Sequence, residues 1–129
     1  MSEFEEATPI LNVRDLAASI EYYVNKLGFK KNWDWGEPPD FASISRGKVE
    51  IFLCQGGQGQ PGMWMSIFMK DVDALYEEYK KSDAIIRKPP RNFPWATREM
   101  LVEDLDGHCF RMSGHPTGPP DDTCLSGKQ

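Results

Sequence analysis

Val13-Arg14-Asp15-Leu16 is repeated 56 residues later as Met69-Lys70-Asp71-Val72, and this repeat indicates how the chain is organised. In both stretches a strand-like run ends just before an aspartate, a residue type that caps helices by accepting a backbone hydrogen bond. The apolar residues that follow, in 16–27 and in 72–79, recur at helical spacing. A period this long that occurs only twice is typical of a duplicated half-domain and not of a solenoid. The chain therefore reads as two copies of one module.

Each predicted helix follows one strand and precedes three more. Gly28 is expected to end the first helix, because glycine accepts the left-handed conformation, and Asp106-Gly107 is a strong hairpin signal. The sequence thus predicts an α+β fold of two βαβββ modules, at about 7–55 and 62–113, within a domain of residues 1–114. A flexible tail is expected over 115–129. The predicted strands are 8–13, 31–35, 41–45 and 49–54 in the first module and 63–69, 85–88, 98–103 and 108–113 in the second.

Composition narrows the classes of function. The 129 residues suffice for one domain, and no apolar run approaches the roughly 18 residues that a membrane span needs. The net charge is −5 and the basic residues are scattered, so nucleic acid is not an expected partner, whereas a cationic ligand is weakly favoured. Three widely spaced cysteines and an acidic start predict reduced thiols and a cytoplasmic protein.

Several segments resemble one known family. They are Pro9-Ile-Leu-Asn-Val-Arg-Asp-Leu, Ile20-Glu-Tyr-Tyr with Leu27-Gly-Phe, Asp40-Phe-Ala, and Pro94-Trp-Ala-Thr-Arg-Glu leading into Glu103-Asp-Leu-Asp-Gly-His. Over about residues 7–113 the chain resembles the vicinal-oxygen-chelate superfamily, which includes glyoxalase I, extradiol dioxygenases and bleomycin resistance proteins, and its pattern is closest to the bleomycin resistance branch. The resemblance implies that the mixed sheet of each module curls into a half-cup, that the two half-cups enclose a ligand cavity, and that the protein is a homodimer.

The metal site of the superfamily is not expected here. The resemblance places its four ligands at Thr8, Glu50, Trp64 and Arg111. A divalent ion needs about three donors such as imidazole, thiolate or carboxylate, and only Glu50 qualifies. We therefore expect no metal and no other cofactor. Glu50 is read either as the partner of Arg111 in a buried ion pair that replaces the metal, or as a partly exposed strand residue.

The sequence also contains no recognisable pair of nucleophile and base for nucleophilic catalysis. Cys54 and Cys109 fall at strand positions where small buried residues are common, and no motif places a histidine beside them. Structural or surface roles are favoured for His108 and His115. The glycine-rich stretch 56–62 lacks the features of a phosphate-binding loop and reads as a linker between the modules.

Aromatic residues are the strongest functional signal. Four tryptophans in 129 residues is a high number, and they fall where the resemblance implies a ligand groove. Planar ligands gain about 1 kcal/mol per stacked aromatic pair beyond the area they bury. For the phenylalanines, plain core packing is the alternative. The predicted ligand-binding residues are Trp33, Trp35, Phe41, Glu50, Phe52, Trp64, Phe68, Phe93, Trp95 and Arg111.

Three functions compete. The first, which the sequence favours, is non-catalytic binding and sequestration of a planar or cationic small molecule, as in bleomycin-type resistance. The second is a glyoxalase-type metal-dependent lyase or isomerase with an atypical metal site formed by Glu50 and a cysteine. The third is a dimerisation or interaction module whose cup is filled by its own aromatic side chains.

Overall fold

The computed structural model describes residues 3–121 and divides the chain into two compact modules at Pro61/Gly62. Each module has the predicted βαβββ order, which confirms the fold class. The first contains β1 (Ile10–Val13), α1 (Leu16–Asn25), β2 (Lys30–Gly36), β3 (Pro39–Arg46) and β4 (Val49–Gln55). The second contains β5 (Trp64–Phe68), α2 (Val72–Ser82), β6 (Ile85–Phe93), β7 (Thr97–Glu103) and β8 (Cys109–Gly114).

Both helices begin as the aspartate pattern predicts. The Asp15 carboxylate accepts a hydrogen bond from the Ala18 N–H at 3.1 Å, and the Asp71 carboxylate accepts one from the Ala74 N–H at 3.0 Å. Each bond satisfies an N–H that has no partner inside its helix. Gly28 follows α1 with φ +77°, which confirms its predicted role in ending the helix.

The two sheets have the same topology. In the first module the strand order is β1-β4-β3-β2, and in the second it is β5-β8-β7-β6. The first strand of each module pairs in parallel with the last, while the other pairs are antiparallel, so both sheets are mixed. Neither sheet closes on itself.

Each helix packs on one face of its own sheet. Beneath α1 the sheet is fully buried at Ala42, Ile44, Ile51 and Leu53. Because successive strand residues point to opposite faces, the residues between these point away from the helix. We call the side of each sheet opposite its own helix the helix-free face. On α2's side the corresponding buried residues are Met100, Val102, Phe110 and Met112.

A bulge in β2 determines which face its tryptophans occupy. Lys31 pairs with Ile44 and Trp33 with Ser43, so Asn32 is an extra residue. Simple alternation would place residues 31 and 33 on one face, but the extra residue moves Trp33 to the helix-free face. No residue pattern in this strand predicts the bulge.

β6 is longer than predicted. The prediction ended this strand at Lys88, yet the strand continues to Phe93. β6 is an edge strand of its sheet, and Pro89 and Pro90 fall at a register shift between Lys88 and Arg91. Proline is tolerated there because it lacks only an N–H that the ladder does not use.

The first part of the predicted tail is held against β6. The Thr117 N–H donates to the Asn92 side-chain oxygen at 3.0 Å, and the Asn92 amide donates to the Thr117 hydroxyl at 3.3 Å. The backbone of Asn92 also exchanges hydrogen bonds with Asp121. Residues 122–129, with Cys124, lie outside the described part of the chain. Within residues 3–121, neither helix is long and apolar enough to cross a membrane.

Candidate ligand-binding site

Three of the predicted rings form one cluster on the helix-free face of the first module. Trp33 stacks on Phe41 with ring centroids 5.9 Å apart and an interplanar angle of 26°. Phe52 contacts both rings, at 5.5 Å from Trp33 and 5.3 Å from Phe41. Because the three residues come from β2, β3 and β4, only strand pairing brings them together. They form a continuous apolar surface of the kind that a planar ring can cover.

Two tryptophans extend this surface into solvent. Trp35 pairs with Phe41 in the strand register and therefore shares its face, with 69% of its surface exposed. Trp33 is 43% exposed even though it packs against two rings. An exposed ring held by a rigid strand loses little conformational freedom when a ligand binds it, so both suit ligand contact.

A short polar chain runs beside the aromatic cluster. The Asn32 amide donates to the Ser43 hydroxyl at 3.0 Å, and that hydroxyl donates to a Glu50 carboxylate oxygen at 2.5 Å. The Ser45 hydroxyl donates to the Asn32 side-chain oxygen at 3.2 Å. Glu50 is half-buried, as in the second of its two interpretations. The chain fixes an acceptor oxygen next to the rings.

The second module also exposes aromatic rings on its helix-free face. Trp64 and Phe68 lie two residues either side of Ser66 on β5, and their exposed fractions are 53% and 63%. Ser66 pairs with Arg111, which puts the Arg111 guanidinium on the same face. The Arg87 guanidinium lies 5.6 Å from the Trp64 ring, within the range of a cation–π contact.

A buried carboxylate that the sequence did not single out organises this face. Glu99 is 2% exposed, and one of its oxygen atoms accepts hydrogen bonds from the Trp95 indole at 2.9 Å and the Thr97 hydroxyl at 2.7 Å. Arg111 binds both oxygens, through Nη2 at 2.6 Å and Nε at 3.2 Å. The spacing of Trp95, Thr97 and Glu99 by two residues was the available sequence signal.

These contacts decide the charge of Glu99. Burial by itself raises the pKa of the carboxyl group, but the hydrogen bonds from Arg111, Thr97 and Trp95 and the charge of Arg111 outweigh it and lower the pKa below its ordinary value. Glu99 is therefore ionised at neutral pH. It holds an indole and a guanidinium at fixed positions.

Phe93 and Trp95 form a stacked pair near this carboxylate. Their centroids are 4.8 Å apart at an interplanar angle of 18°. Phe93 is only 3% exposed, whereas Trp95 is 42% exposed. Phe93 thus supports the Trp95 ring from behind, and Trp95 presents the solvent-exposed surface of the pair.

One of the two interpretations of Glu50 makes it the partner of Arg111, but Arg111 has a different partner in the structure. Arg111 binds Glu99 of its own module, while Glu50 accepts a hydrogen bond from Ser43 of its own module. Because the carboxylate of Glu99 already balances the positive charge of Arg111, Arg111 does not require Glu50 as a partner. Glu99 does not occupy a position equivalent to a metal ligand, so the family pattern carries no signal for it.

The metal site of the superfamily does not fit these residues. Arg111 is permanently charged and bound to Glu99, and Trp64 offers no lone pair. Within residues 3–121 no three side chains of the histidine, cysteine, aspartate or glutamate type come close enough together to hold an ion.

The atypical alternative, Glu50 with a cysteine, meets further obstacles. Cys54 follows Glu50 by four residues on one strand, a separation of about 13 Å between backbones, with Phe52 between them. In the second module, burial raises the pKa of the Cys109 thiol, and the neighbouring Arg87, whose Nη1 lies 3.9 Å from the sulfur, only partly offsets this. A protonated thiol is a poor metal ligand.

The histidines take structural positions. His108 is 1% exposed, and its Nδ1 accepts a hydrogen bond from the Met63 N–H at 3.0 Å. It therefore ties the start of β5 to the start of β8. His115 packs edge-on against Phe68, with ring centroids 5.3 Å apart.

A pocket in the first module lies away from all the predicted ligand-binding residues. Its volume is about 460 Å³, within the range of small-molecule sites. It lies on the α1 side of the sheet, between the start of the helix and the turn that joins β2 to β3. Its lining residues are Asp15, Leu16, Ala17, Ile20, Lys31, Asp34, Pro38, Pro39 and Gln55.

Comparison with known proteins places the fold. The model of the Glyoxalase/Bleomycin resistance protein/Dioxygenase superfamily matches residues 6–112. TioX from Micromonospora sp. ML1 superposes with a TM-score of 0.76 at 20% identity, covering 87% of this chain and 100% of TioX. No curated protein matches the sequence significantly.

Two bleomycin-binding proteins are also similar in structure. The protein from bleomycin-producing Streptomyces verticillus, in complex with copper(II)-bleomycin, has a TM-score of 0.72 at 25% identity and covers 90% of this chain and 100% of its own. A second one, in complex with bleomycin, has a TM-score of 0.71 at 18% identity, with coverages of 88% and 100%.

Proposed function

Because the chain belongs to the Glyoxalase/Bleomycin resistance protein/Dioxygenase superfamily, we propose that it binds and sequesters a planar small molecule of the bleomycin type without chemical conversion. The observation that carries this proposal is the exposure of all four tryptophans, at 42% to 69%, on or beside the strands of the two sheets. Large exposed rings are costly in water, and monomeric proteins seldom display several together unless they bind something.

Stacking supplies the expected affinity. Each ring of the ligand that stacks on an indole contributes about 1 kcal/mol beyond the area it buries. The cluster of Trp33, Phe41 and Phe52 is already assembled by the strands, so binding costs little reorganisation. Glu50 and the overall charge of −5 favour cationic groups on the ligand.

The donor chemistry supports binding over catalysis. Arg111 and Trp64 stand at positions where the superfamily would need metal ligands. Among the described residues, the sulfur of Cys109 is contacted by the Arg87 guanidinium and that of Cys54 by the Gln58 N–H, and neither group is an activating base. Sequestration needs none of these groups. In sequestration, each binding site holds one ligand molecule.

A fluorescence titration with bleomycin in chelator-containing buffer tests the proposal. Saturable quenching of tryptophan emission with a submicromolar Kd, equivalent to about −8 kcal/mol or better, is expected. Trp35→Ala and Trp64→Ala should each weaken binding about fivefold, since each removes about 1 kcal/mol of stacking. Leu105→Ala removes a 40% exposed apolar side chain in the turn between β7 and β8 and serves as the matched control. A flat titration, or equal Kd values for all three variants, would refute the proposal.

Stoichiometry separates sequestration from catalysis. Plasmid DNA exposed to bleomycin should be protected only when the protein is at least equimolar with the drug. Protection by a small fraction of one equivalent would instead indicate turnover and favour an enzyme.

Assembly and location complete the proposal. We infer a homodimer, because exposed rings such as Phe68 also suit contact between two copies. Light scattering at the protein concentrations of the titration measures the oligomeric state. We also infer a cytoplasmic location, since the buried cysteines Cys54 and Cys109 are both unpaired, as is usual in reducing compartments.

A further inference from the structure

We propose that the helix-free face of the second module recognises an oxyanion, such as a carboxylate or sulfonate, carried by the planar ligand, and that Glu99 positions the Arg111 guanidinium for this contact. The inference rests on the proposed binding of planar molecules and adds the chemical class of the group attached to the ring. It goes against the overall charge of the chain, which by itself favours cations.

Arg111 has hydrogen-bonding capacity that the fold does not use. Glu99 engages its Nε and Nη2, and its Nη1 has no partner among the described residues. The side chain is 38% exposed, whereas that of Glu99 is fully buried. The carboxylate thus holds the guanidinium from behind and leaves its other edge toward solvent, a geometry that suits an oxyanion.

The surroundings of Arg111 are positively charged. The strand register shows which charged side chains lie on this face, and the ion pair of Arg87 with Glu103 adds Arg87 to them. Cations outnumber carboxylates among these side chains. The net charge is positive on this surface although it is negative on the whole chain, so the field attracts an anion here. The charged side chains of this face are Arg87, Lys88, Arg91 and Arg111, with Glu99 and Glu103.

Ser113 supplies a second unused donor. Its hydroxyl group is buried and forms no hydrogen bond within residues 3–121. Ser113 follows Arg111 by two residues on β8, so both point to the same face, and it pairs with Glu99 across the strands. Burying a hydroxyl group without a hydrogen-bond partner costs free energy. A bound ligand would supply the missing partner of Ser113.

Aromatic rings border the guanidinium. Trp64 and Phe68 flank Ser66, the residue paired with Arg111. The Trp95 indole donates to the same Glu99 oxygen that Arg111 Nη2 binds. A flat ring carrying an acidic group can therefore stack and pair at neighbouring points of one surface.

Two dyes that share a ring system test the inference. Anilinonaphthalene sulfonate carries a sulfonate, and N-phenylnaphthylamine is its uncharged counterpart. The double variant Glu99→Gln/Arg111→Met removes both charges together, so it leaves no buried charge unpaired. It is expected to weaken sulfonate-dye binding about tenfold, the usual effect of losing a charge-assisted hydrogen bond, while the Kd of the neutral dye changes less than about twofold.

The chain offers a matched control on the other face of the same strand. Arg98 binds Asp73 of α2 through two nitrogen atoms, each at 2.8 Å. The variant Asp73→Asn/Arg98→Met loses an ion pair of the same type, and both dyes should bind it as they bind the wild-type protein. Glu99→Gln alone keeps the cation but loosens it, so it should weaken the sulfonate dye by about threefold.

The outcomes are distinct. One outcome is that the neutral dye binds and that Glu99→Gln/Arg111→Met weakens the binding of both dyes equally, or of neither. In that case Arg111 has only a structural role and the inference fails, while the proposed binding by aromatic rings stands. If neither dye binds the wild-type protein, the inference fails, while the proposed function is still decided by the bleomycin titration. If the double variant does not unfold cooperatively, the single variant Glu99→Gln is used as the test instead. An unchanged ratio of the Kd values of the two dyes in Glu99→Gln would then overturn the inference.

Discussion

Arg98 and Glu99 are adjacent on β7 and form ion pairs on opposite faces of the same sheet. Arg98 binds Asp73 in the first turn of α2, and Glu99 binds Arg111 on the helix-free face. Alternation along the strand produces this division, since neighbouring side chains point to opposite sides. One pair joins the helix to the sheet, and the other fixes the cation of the proposed ligand site.

The Glu99 pair makes stability depend on pH. Because the pKa of Glu99 is lowered in the folded protein, its ionised form stabilises the fold in full above the unfolded-state pKa of about 4.3. That contribution is lost as the pH falls through the lower folded-state pKa. Between about pH 6 and about pH 3, urea unfolding should show a steeper loss of stability for the wild-type protein than for Glu99→Gln. Parallel curves for the two proteins would contradict this assignment.

His108 is predicted to stabilise the second module through the hydrogen bond that its side chain accepts from the Met63 N–H. His108→Phe leaves the Met63 N–H without its acceptor and should cost about 1–3 kcal/mol in the free energy of unfolding, measured with urea. His108→Asn places an oxygen near the position of Nδ1 and should recover part of this loss. Neither variant should change the Kd for bleomycin, and a change for both would give His108 a role in the site.

Asn92 is predicted to hold residues 115–121 against β6. Asn92→Ala removes the side-chain hydrogen bonds with Thr117, each contributing about 1 kcal/mol. Hydrogen exchange at the Thr117 amide should therefore become faster, while exchange in β1 stays unchanged as an internal control. Thr117→Ala should have a smaller effect, because the Thr117 backbone N–H still donates to Asn92. Equal protection in wild-type protein and Asn92→Ala would show that other contacts hold the segment.

The buried thiols are predicted to react slowly. In a Cys124→Ser background, so that only Cys54 and Cys109 remain, a thiol-specific disulfide reagent should modify the native protein far more slowly than the urea-unfolded protein. Both sulfurs are buried, and the raised pKa of Cys109 keeps its thiolate fraction low. Fast reaction of either cysteine in the native protein would revive a catalytic interpretation.

Sequence reasoning succeeded where the signal is local. Asp15 and Asp71 mark the helix starts because a cap acts within three residues of the chain. It fell short at β6, which continues past Pro89 and Pro90 because an edge strand tolerates proline. For the candidate site, residue type alone singled out the tryptophans, whose role in ligand binding stays a prediction, but it did not single out Glu99, whose role depends on partners in two other segments.

The two βαβββ modules, their helix caps and the abundance of rings follow from the sequence, because periodicity and capping are properties of short stretches of chain. Which rings meet and which charges pair depends on how the strands are aligned in the folded protein. The bulge at Asn32 turns Trp33 toward Phe41 and Phe52, and the pairing of β7 with β8 brings Glu99 to Arg111 rather than leaving Arg111 for Glu50. The physical reason is that strand register is a long-range property. A shift of one residue moves every side chain to the opposite face, and no local pattern in this chain specifies that shift.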